Sequence, residues 1–331
     1  SNNVLDCDEE RIHHCRTFIN HAVGKGYSLG DFHRNIKNGL NDEQIDRFHT
    51  LCDDICVNKY KPLQYIIGNW DFYGQTFECM QPILNPRPET EELVGLIKHY
   101  IKQGEYGDLR ILDIGSGTGA IGIALLCPDI MEFTSLGSSR QLMSHNERNI
   151  SITAIDINPD AVALSNRNAT RILNNIASGN AGKPENYRCL YQSFIDFCQD
   201  NSNHGGYDII VSNPPYIPSS VIQTLDKNVL LYEDRGALDG GKNGLDIIMQ
   251  IIRHCSVLFR NRSAMSIASS APDMHAVQSR PLWMETDSHH GEMLMAWSKS
   301  DEGKKFISNV TVHKDFSGHN RFVCIDIIVP V

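Results

Sequence analysis

The 331-residue sequence predicts an α/β protein. A mostly parallel sheet with helices on both faces is expected, preceded by a small helical unit and a linking β-hairpin. Three observations predict it. From residue 109 onward, short apolar runs alternate with helical patterns, as buried parallel strands and their crossover helices do. One of these runs, Arg110–Ile114, opens into a glycine-rich turn and then into a helical stretch, Ala120–Leu126. Before residue 60 the apolar period is helical, and it changes to alternating aromatics around Gly74.

Taken in order, Ile12, Cys15, Phe18, Ile19, Ala22 and Val23 share one helical face. A shorter piece carries Leu29, Phe32 and Ile36. A further amphipathic set comprises Ile45, Phe48, Leu51, Cys52 and Ile55, with Asn41 placed as its N-cap. Tyr65–Gly68 followed by Trp70, Phe72, Gly74 and Phe77 reads as a β-hairpin. In Asn85-Pro86-Arg87-Pro88-Glu89-Thr90-Glu91-Glu92-Leu93, Pro88 suits the first position of a helix, and the acids after it favour the positive end of the helix dipole. That helix runs to about Lys102. The buried strands expected beyond it are Arg110–Ile114, Ile152–Ile155, Tyr207–Val211, Leu282–Glu285 and Val323–Val329. Residues 128–149 and 263–281 are rich in Ser, Arg, Asn and Met without a period, and are expected to be surface insertions.

Composition narrows the function. The net charge is −10, with 41% hydrophobic and 21% charged residues, as in a globular enzyme. Such a balance argues against a basic face that grips a nucleic-acid backbone. No apolar run approaches the length of a bilayer span. The ten cysteines include no CxxC pair and are expected to be free thiols in a reducing compartment. The pairs His13–His14 and His289–His290 lack metal-site spacing and are expected at the surface, and no metal site is expected. The N-terminus, with Asp6, Asp8, Glu9 and Glu10, carries no visible targeting pattern.

Three motifs carry chemistry. Asp113-Ile114-Gly115-Ser116-Gly117-Thr118-Gly119 joins a strand to a helix, and its glycines allow positive φ and a close approach of backbone to ligand. Alone it is weak, since Gly117-x-Gly119-x-x-Gly122 also matches a dinucleotide fingerprint, and a plain tight turn would look similar. Asp156 ends the next strand in Ile155-Asp156-Ile157-Asn158-Pro159, where a carboxylate can accept from both hydroxyls of a ribose. Asn158 is placed as the cap and Pro159 at the first position of the following helix. The third motif, Ser212-Asn213-Pro214-Pro215-Tyr216, follows an apolar strand and is the most informative. Its prolines lack N–H groups and have fixed φ, so they stop the strand and stiffen the loop. The Asn213 side-chain carbonyl and the Pro214 backbone carbonyl then offer two acceptors at fixed spacing, a match for one –NH2 group turned toward an electrophile. Tyr216 is expected to lie against a planar amide or near a positive charge.

At these residues the sequence resembles the HemK/PrmC family, the glutamine methyltransferases of peptide-chain release factors. The likeness covers most of the chain. It includes Pro62–Gly68, Phe72-Tyr73-Gly74, Leu84–Glu91, the glycine turn, Asn213–Tyr216, Ala237-Leu238-Asp239-Gly240-Gly241, Gly244-Leu245-Asp246 and Asp315–Phe322. The Asn-Pro-Pro-Tyr loop is shared with adenine methyltransferases of DNA, whereas Pro-Arg-Pro-Glu-Thr-Glu joined to an N-terminal helical domain is more specific. The resemblance implies a seven-stranded Rossmann-like class I methyltransferase domain at 89–331. It further implies a helical substrate-binding domain at 1–62 and a hairpin linker at 63–88. S-adenosylmethionine is the implied cofactor, held by Gly115, Ser116, Gly117, Thr118, Gly119, Asp156 and Asn213, with Phe194 near the adenine. Asn213, Pro214, Pro215 and Tyr216 are implied to bind the glutamine of a GGQ motif in a release factor, with Asn213, Pro214 and Tyr216 at the reaction itself. The two insertions depart from the family pattern and suggest a eukaryotic member, which would be mitochondrial; otherwise the expectation is cytoplasmic. Two other readings suit parts of the pattern: an N6-adenine methyltransferase of DNA or RNA, against which the net charge counts, and a non-catalytic binding module, against which the intact motifs count.

Overall fold

The computed structural model describes residues 39, 41–57, 60–104, 107–129, 149–176, 182–260 and 279–329. The helical readings at 12–23 and 29–36, the pair His13–His14 and most of both insertions lie outside the described residues.

Helix α1 (Asp42–Val57) begins where Asn41 was placed as its cap. The Gln44 amide donates to Asn41 Oδ1 at 2.9 Å, and the Asn41 amide donates to Gln44 Oε1 at 3.0 Å. This reciprocal box satisfies two amides that the first turn leaves free. Residues 63–67, expected in the hairpin, instead form a short helix, α2 (Leu63–Ile67). Pro62 fixes its entry, and Gly68 at φ 76° ends it in a left-handed cap. The hairpin proper is β1 (Asn69–Phe72) and β2 (Gln75–Glu78). Phe72 pairs with Gln75, which leaves a two-residue turn of Tyr73 (φ 48°) and Gly74 (φ 70°). Positive φ at both positions matches the twist of antiparallel strands.

Helix α3 (Pro88–Gln103) starts at Pro88, with Glu89 and Glu91 in its first turn and Lys102 in its last. The remaining elements alternate. They are β3 (Leu109–Ile114), α4 (Ala120–Leu126), β4 (Ile150–Asp156), α5 (Pro159–Ile176), β5 (Tyr187–Tyr191), α6 (Phe194–Gln199) and β6 (Ile209–Ser212). Then follow α7 (Ser219–Ile222), α8 (Lys227–Tyr232), α9 (Asp246–His254), β7 (Ser279–Glu285), α10 (His290–Ser298), β8 (Ile307–Lys314) and β9 (Asn320–Ile328). Asn158 accepts from the Asp160 amide at 2.9 Å and caps α5.

The seven strands lie in the order β5-β4-β3-β6-β7-β9-β8, all parallel except β9, which runs antiparallel to both neighbours. Alternate strand residues feed two cores. Leu109, Ile111, Ala154, Ile209 and Val211 meet α3, α4 and α5 on one face. Leu112, Ile114, Ile155, Ile210 and Met284 meet α6, α9 and α10 on the other. Burying each such side chain stabilises the fold by roughly 1.5–3 kcal/mol before chain entropy is subtracted.

Three further expectations need correction. Tyr207 precedes its strand and makes only an isolated bridge to Phe259. Ser279–Pro281, read as part of an insertion, begin β7 and pair with β9. His290, expected at the surface, is 3% exposed. Its Nε2 lies 3.0 Å from the Asn243 carbonyl, which can only accept, so Nε2 carries the proton. His289 is exposed as expected. Among the described cysteines, Cys79, Cys127, Cys189, Cys198 and Cys255 are buried free thiols.

Candidate active site

Parallel register brings the motif residues to one edge. Ile114 pairs with Ile155 and with Ser212, Ile155 with Leu190, and Ser212 with Met284. The residues that follow, Gly115, Asp156, Tyr191, Asn213 and Glu285, therefore stand side by side at the carboxyl ends of five strands. Open α/β sheets bind ligands along this edge.

The glycine turn is stitched to β4 through its backbone. The Gly115 and Ser116 amides donate to the Ile155 carbonyl at 2.9 and 3.2 Å. The Gly117 amide donates to Asp156 Oδ2 at 2.9 Å, and the Asn158 amide donates to Oδ1 at 2.9 Å. Each oxygen of Asp156 keeps a further lone pair. Burial pushes the Asp156 carboxyl above its ordinary range, and the Asn158 and Gly117 amides pull it back down.

Gly115, Gly117 and Gly119 all have positive φ, but for different reasons. A Cβ on Gly119 would meet Ser165 Oγ at 2.6 Å and Ile123 Cδ1 at 2.7 Å, so this glycine is required by packing. A Cβ on Gly115 would meet nothing within 4 Å, and one on Gly117 only Ile83 Cγ2 at 3.9 Å. Those two positions border open space, a cradle that a nucleoside-bearing ligand can enter. The open cradle and the half-buried Asp156 carboxylate beside it fit S-adenosylmethionine. Ser116 and Thr118 are buried within the turn; Ser116 Oγ lies 3.1 Å from Cys189 Sγ, and the Thr118 carbonyl accepts from Asn168 Nδ2 at 3.0 Å. Phe194, the first residue of α6, is half-buried against the second core. It stands two residues after Gln192, whose amide donates to the Asp156 carbonyl at 3.1 Å.

The Asn213–Tyr216 loop is held from several distant parts of the chain. Ser212 Oγ donates to the Ile114 carbonyl at 2.8 Å below it. Ile217 pairs with the segment after α8: its amide donates to Leu238, and its carbonyl accepts from Gly240, each at 2.9 Å. A Cβ on Gly240 would lie 2.7 Å from the Pro215 carbonyl, and one on Gly244 would lie 2.1 Å from the Tyr216 carbonyl. These glycines let one backbone press against another.

Four side chains then join the loop to α3 and β7. Asn213 Nδ2 donates to Thr90 Oγ1 at 3.5 Å, and Thr90 Oγ1 donates to Glu285 Oε2 at 2.6 Å. Tyr216 donates its phenolic proton to Glu285 Oε1 at 3.1 Å. Burial raises the Glu285 carboxyl, opposed by the bonds from Thr90 and Tyr216. Burial likewise raises the Tyr216 phenol. Nearby, Arg87 Nη2 donates to Glu233 at 2.6 Å and ties the Pro-Arg-Pro segment to the chain between α8 and α9. Thr90, Glu285, Gly240 and Glu233 had no individual role in the sequence reading. A signal existed for Glu285: an acid that ends the apolar run Leu282-Trp283-Met284, the same argument that singled out Asp156.

A sheet of this order, with the penultimate position taken by antiparallel β9 and the glycine turn at the carboxyl end of β3, is the class I methyltransferase fold. No family model matches the chain. Curated relatives do. It is 30% identical over 271 residues to the human MTRF1L release factor glutamine methyltransferase, a stretch covering 79% of this chain and 66% of that protein. It is 36% identical over 195 residues to the release factor glutamine methyltransferase of Fusobacterium nucleatum, covering 59% and 46%. It is 30% identical over 304 residues to that of Streptococcus pneumoniae, covering 91% and 88%. The chain thus belongs to the release factor glutamine methyltransferase family. Against the first two relatives it spans about half to two thirds of their length. Among solved structures, the E. cuniculi Mtq2–Trm112 complex, described as methylating the eRF1 termination factor, has a TM-score of 0.38 at 15% identity, over 75% of this chain and 99% of that one. A ribosomal protein L11 methylase from Lactobacillus delbrueckii gives 0.36 at 16%, over 75% and 82%. At those values the fold rests on the strand order of the chain itself.

Proposed function

We propose that this chain transfers the methyl group of S-adenosylmethionine to the side-chain amide nitrogen (N5) of the glutamine in the GGQ motif of a peptide-chain release factor. The observation that carries the reading is the alignment of the glycine cradle, Asp156 and the Asn213–Tyr216 loop on one sheet edge, in a chain of this family. S-adenosylmethionine supplies a methyl group on a positively charged sulfur, whose C–S bond would break as the C–N bond forms, and one of the two amide hydrogens would leave as a proton by way of the carbonyl that accepts it.

In this reading the turn Gly115-Ser116-Gly117-Thr118-Gly119 approaches the cofactor with its backbone, Asp156 accepts from the ribose, and Phe194 flanks the adenine. Asn213 Oδ1 and the Pro214 carbonyl accept the two hydrogens of the glutamine –NH2. Holding both hydrogens turns the nitrogen lone pair outward. An amide lone pair is delocalised, so the acceptors contribute most where the nitrogen becomes pyramidal. Pro215 stiffens the loop, and the Tyr216 ring lies along the planar amide.

We assign residues 1–62 to holding the release factor, 63–88 to a hairpin linker and 89–331 to the transferase domain. The break in pattern between the helical set and the hairpin supports this division. Nucleic acid is not the proposed acceptor, which the net charge of −10 supports. A mitochondrial address is proposed if the chain is eukaryotic, and a cytoplasmic one otherwise.

The test is transfer of labelled methyl from S-adenosylmethionine to a purified release factor. It is run beside the same factor with its GGQ glutamine replaced, and beside DNA and RNA. Label on the intact factor alone is expected. Label on nucleic acid would replace this reading with adenine methylation.

A further inference from the structure

We propose that Thr90 and Glu285 form a one-way hydrogen-bond relay that sets which end of the Asn213 amide faces the substrate, which makes them positioning residues for methyl transfer. The inference deepens the glutamine reading above and rests on it.

The argument is one of counting hydrogens. Glu285 is 2% exposed, and burial raises its carboxyl, but a hydroxyl on each of its oxygens, Thr90 at 2.6 Å and Tyr216 at 3.1 Å, together with the Arg321 charge, favours the carboxylate, which can only accept. Thr90, 4% exposed, has a single hydroxyl hydrogen, which goes to Glu285 Oε2 at 2.6 Å. The Thr90 oxygen therefore has only lone pairs left to offer Asn213. The end of Asn213 that turns to it, at 3.5 Å, must be the donor Nδ2. Oδ1 is left pointing away from Thr90, as an acceptor for the substrate.

The contact is long for a hydrogen bond, so its contribution lies less in its strength than in what the opposite orientation would do. A flipped Asn213 would set its carbonyl oxygen against a hydroxyl oxygen with no hydrogen to share. It would also present an –NH2 to the substrate –NH2, donor against donor. The second oxygen of Glu285 accepts from Tyr216 at 3.1 Å, so one buried carboxylate orients both ends of the loop. Glu285 is faced by Arg321 from β9 and by Glu89 and Thr90 from α3. Arg321 is anchored by Asp315, its Nε donating to Oδ2 at 3.4 Å. The Pro-Glu-Thr-Glu segment thereby gains a chemical role at a threonine that contacts neither reactant.

The experiment compares the full-length wild type with Thr90→Val, which keeps the shape and removes the hydroxyl, and Thr90→Ser, which keeps the hydroxyl. Thr90→Val is expected to lower kcat roughly tenfold to a hundredfold. Its affinity for S-adenosylmethionine, measured by calorimetry, should stay within about twofold to threefold of wild type. Thr90→Ser should restore kcat to within a few fold. An independent readout is the side-chain amide signal of Asn213 in asparagine-labelled protein, assigned by its loss in Asn213→Asp. It should move in Thr90→Val and stay in place in Thr90→Ser. Wild-type kcat in Thr90→Val, or equal impairment of both variants, would overturn the relay. Should the wild type itself fail to methylate a release factor, the glutamine reading falls. The amide signal still decides the relay in that case: no movement in Thr90→Val would end it.

Discussion

The two halves of the site are held by different means. The cofactor half is local: the Gly115–Gly119 turn and Asp156 belong to adjacent strands, and most of their bonds run from backbone amides to the Ile155 carbonyl or the Asp156 carboxylate. The acceptor half is assembled from afar. Thr90 lies 123 residues before Asn213 and 195 before Glu285, and Gly240 and Gly244 press in from a later segment. A local site tolerates the loss of one bond because its neighbours share a backbone frame. A distributed site depends on each distant contact. Changes in the first half should therefore appear in cofactor affinity, and changes in the second in turnover.

The sharpest test of that division is Asn213→Ala. It removes the side-chain acceptor, while the Pro214 carbonyl and the cofactor cradle remain. Turnover should fall by about 10²–10³, the loss seen when one preorganised transition-state contact is removed. Cofactor affinity should fall by no more than a few fold, because Asn213 is one of several residues implied to hold S-adenosylmethionine and the Gly115–Gly119 turn and Asp156 remain. Near-wild-type turnover would leave Asn213 without its acceptor role.

Gly240→Ala comes next. The new Cβ would sit 2.7 Å from the Pro215 carbonyl and 2.8 Å from Tyr216 Cα, and backbone on that side cannot step away as a side-chain tip can. Displacing the loop by a few tenths of an ångström should lower kcat roughly tenfold to a hundredfold. Cofactor affinity, by titration, should hold. Equal damage to both would show that the two halves are not separable.

Asp156→Ala probes the other half. It removes the proposed ribose acceptor and two of the bonds that hold the turn and the Asn158 loop. Cofactor Kd should rise about tenfold, with kcat at saturating cofactor within a few fold of wild type. An unchanged Kd would remove Asp156 from the ribose site.

The same contrast explains what could be read in advance. The central strands β3, β4, β6 and β7 were legible because most of their residues are buried on both faces, which leaves apolar runs, and β9 because buried Phe322, Val323, Ile325 and Ile327 dominate it. The edge strands β5 and β8 were not. Tyr187–Tyr191 sets exposed Arg188 between buried Tyr187 and Cys189 and ends on exposed Tyr191, and Ile307–Lys314 carries exposed Ser308, Asn309 and Thr311. The cofactor motifs were legible because they are contiguous. Asn213–Tyr216 was legible as a loop but not as a mechanism, since what orients it comes from Thr90 and Glu285. Sequence spacing cannot bring such residues together; only the sheet register does. His290 shows the same limit, since its burial depends on the Asn243–Gly244 turn folding back over α10.

The smallest expected effect on catalysis, and the most direct check on the local half, concerns Asp113 beneath the glycine turn. It is 1% exposed; its Oδ2 accepts from the Gly122 amide at 3.0 Å, and its Oδ1 has no hydrogen-bond partner among the described residues. Burial pushes its carboxyl up to about 7, with the Gly122 bond pulling down and the Asp156 charge pushing up. An unfolded aspartate titrates near 3.9, so the folded state holds this proton more tightly. The contribution to stability is therefore fully present below pH ~4 and is lost as pH rises through about 7. Asp113→Asn keeps an oxygen for the Gly122 amide and carries no charge to desolvate. Its stability relative to wild type, from urea midpoints, should grow from pH 5 to pH 8 by on the order of 1 kcal/mol or more. A gap that stays constant with pH would mean that the Asp113 charge is balanced from within the turn. In that case the glycine cradle would be more fully self-supported than the single Gly122 bond to Asp113 shows, and the contrast with the distributed acceptor loop would sharpen.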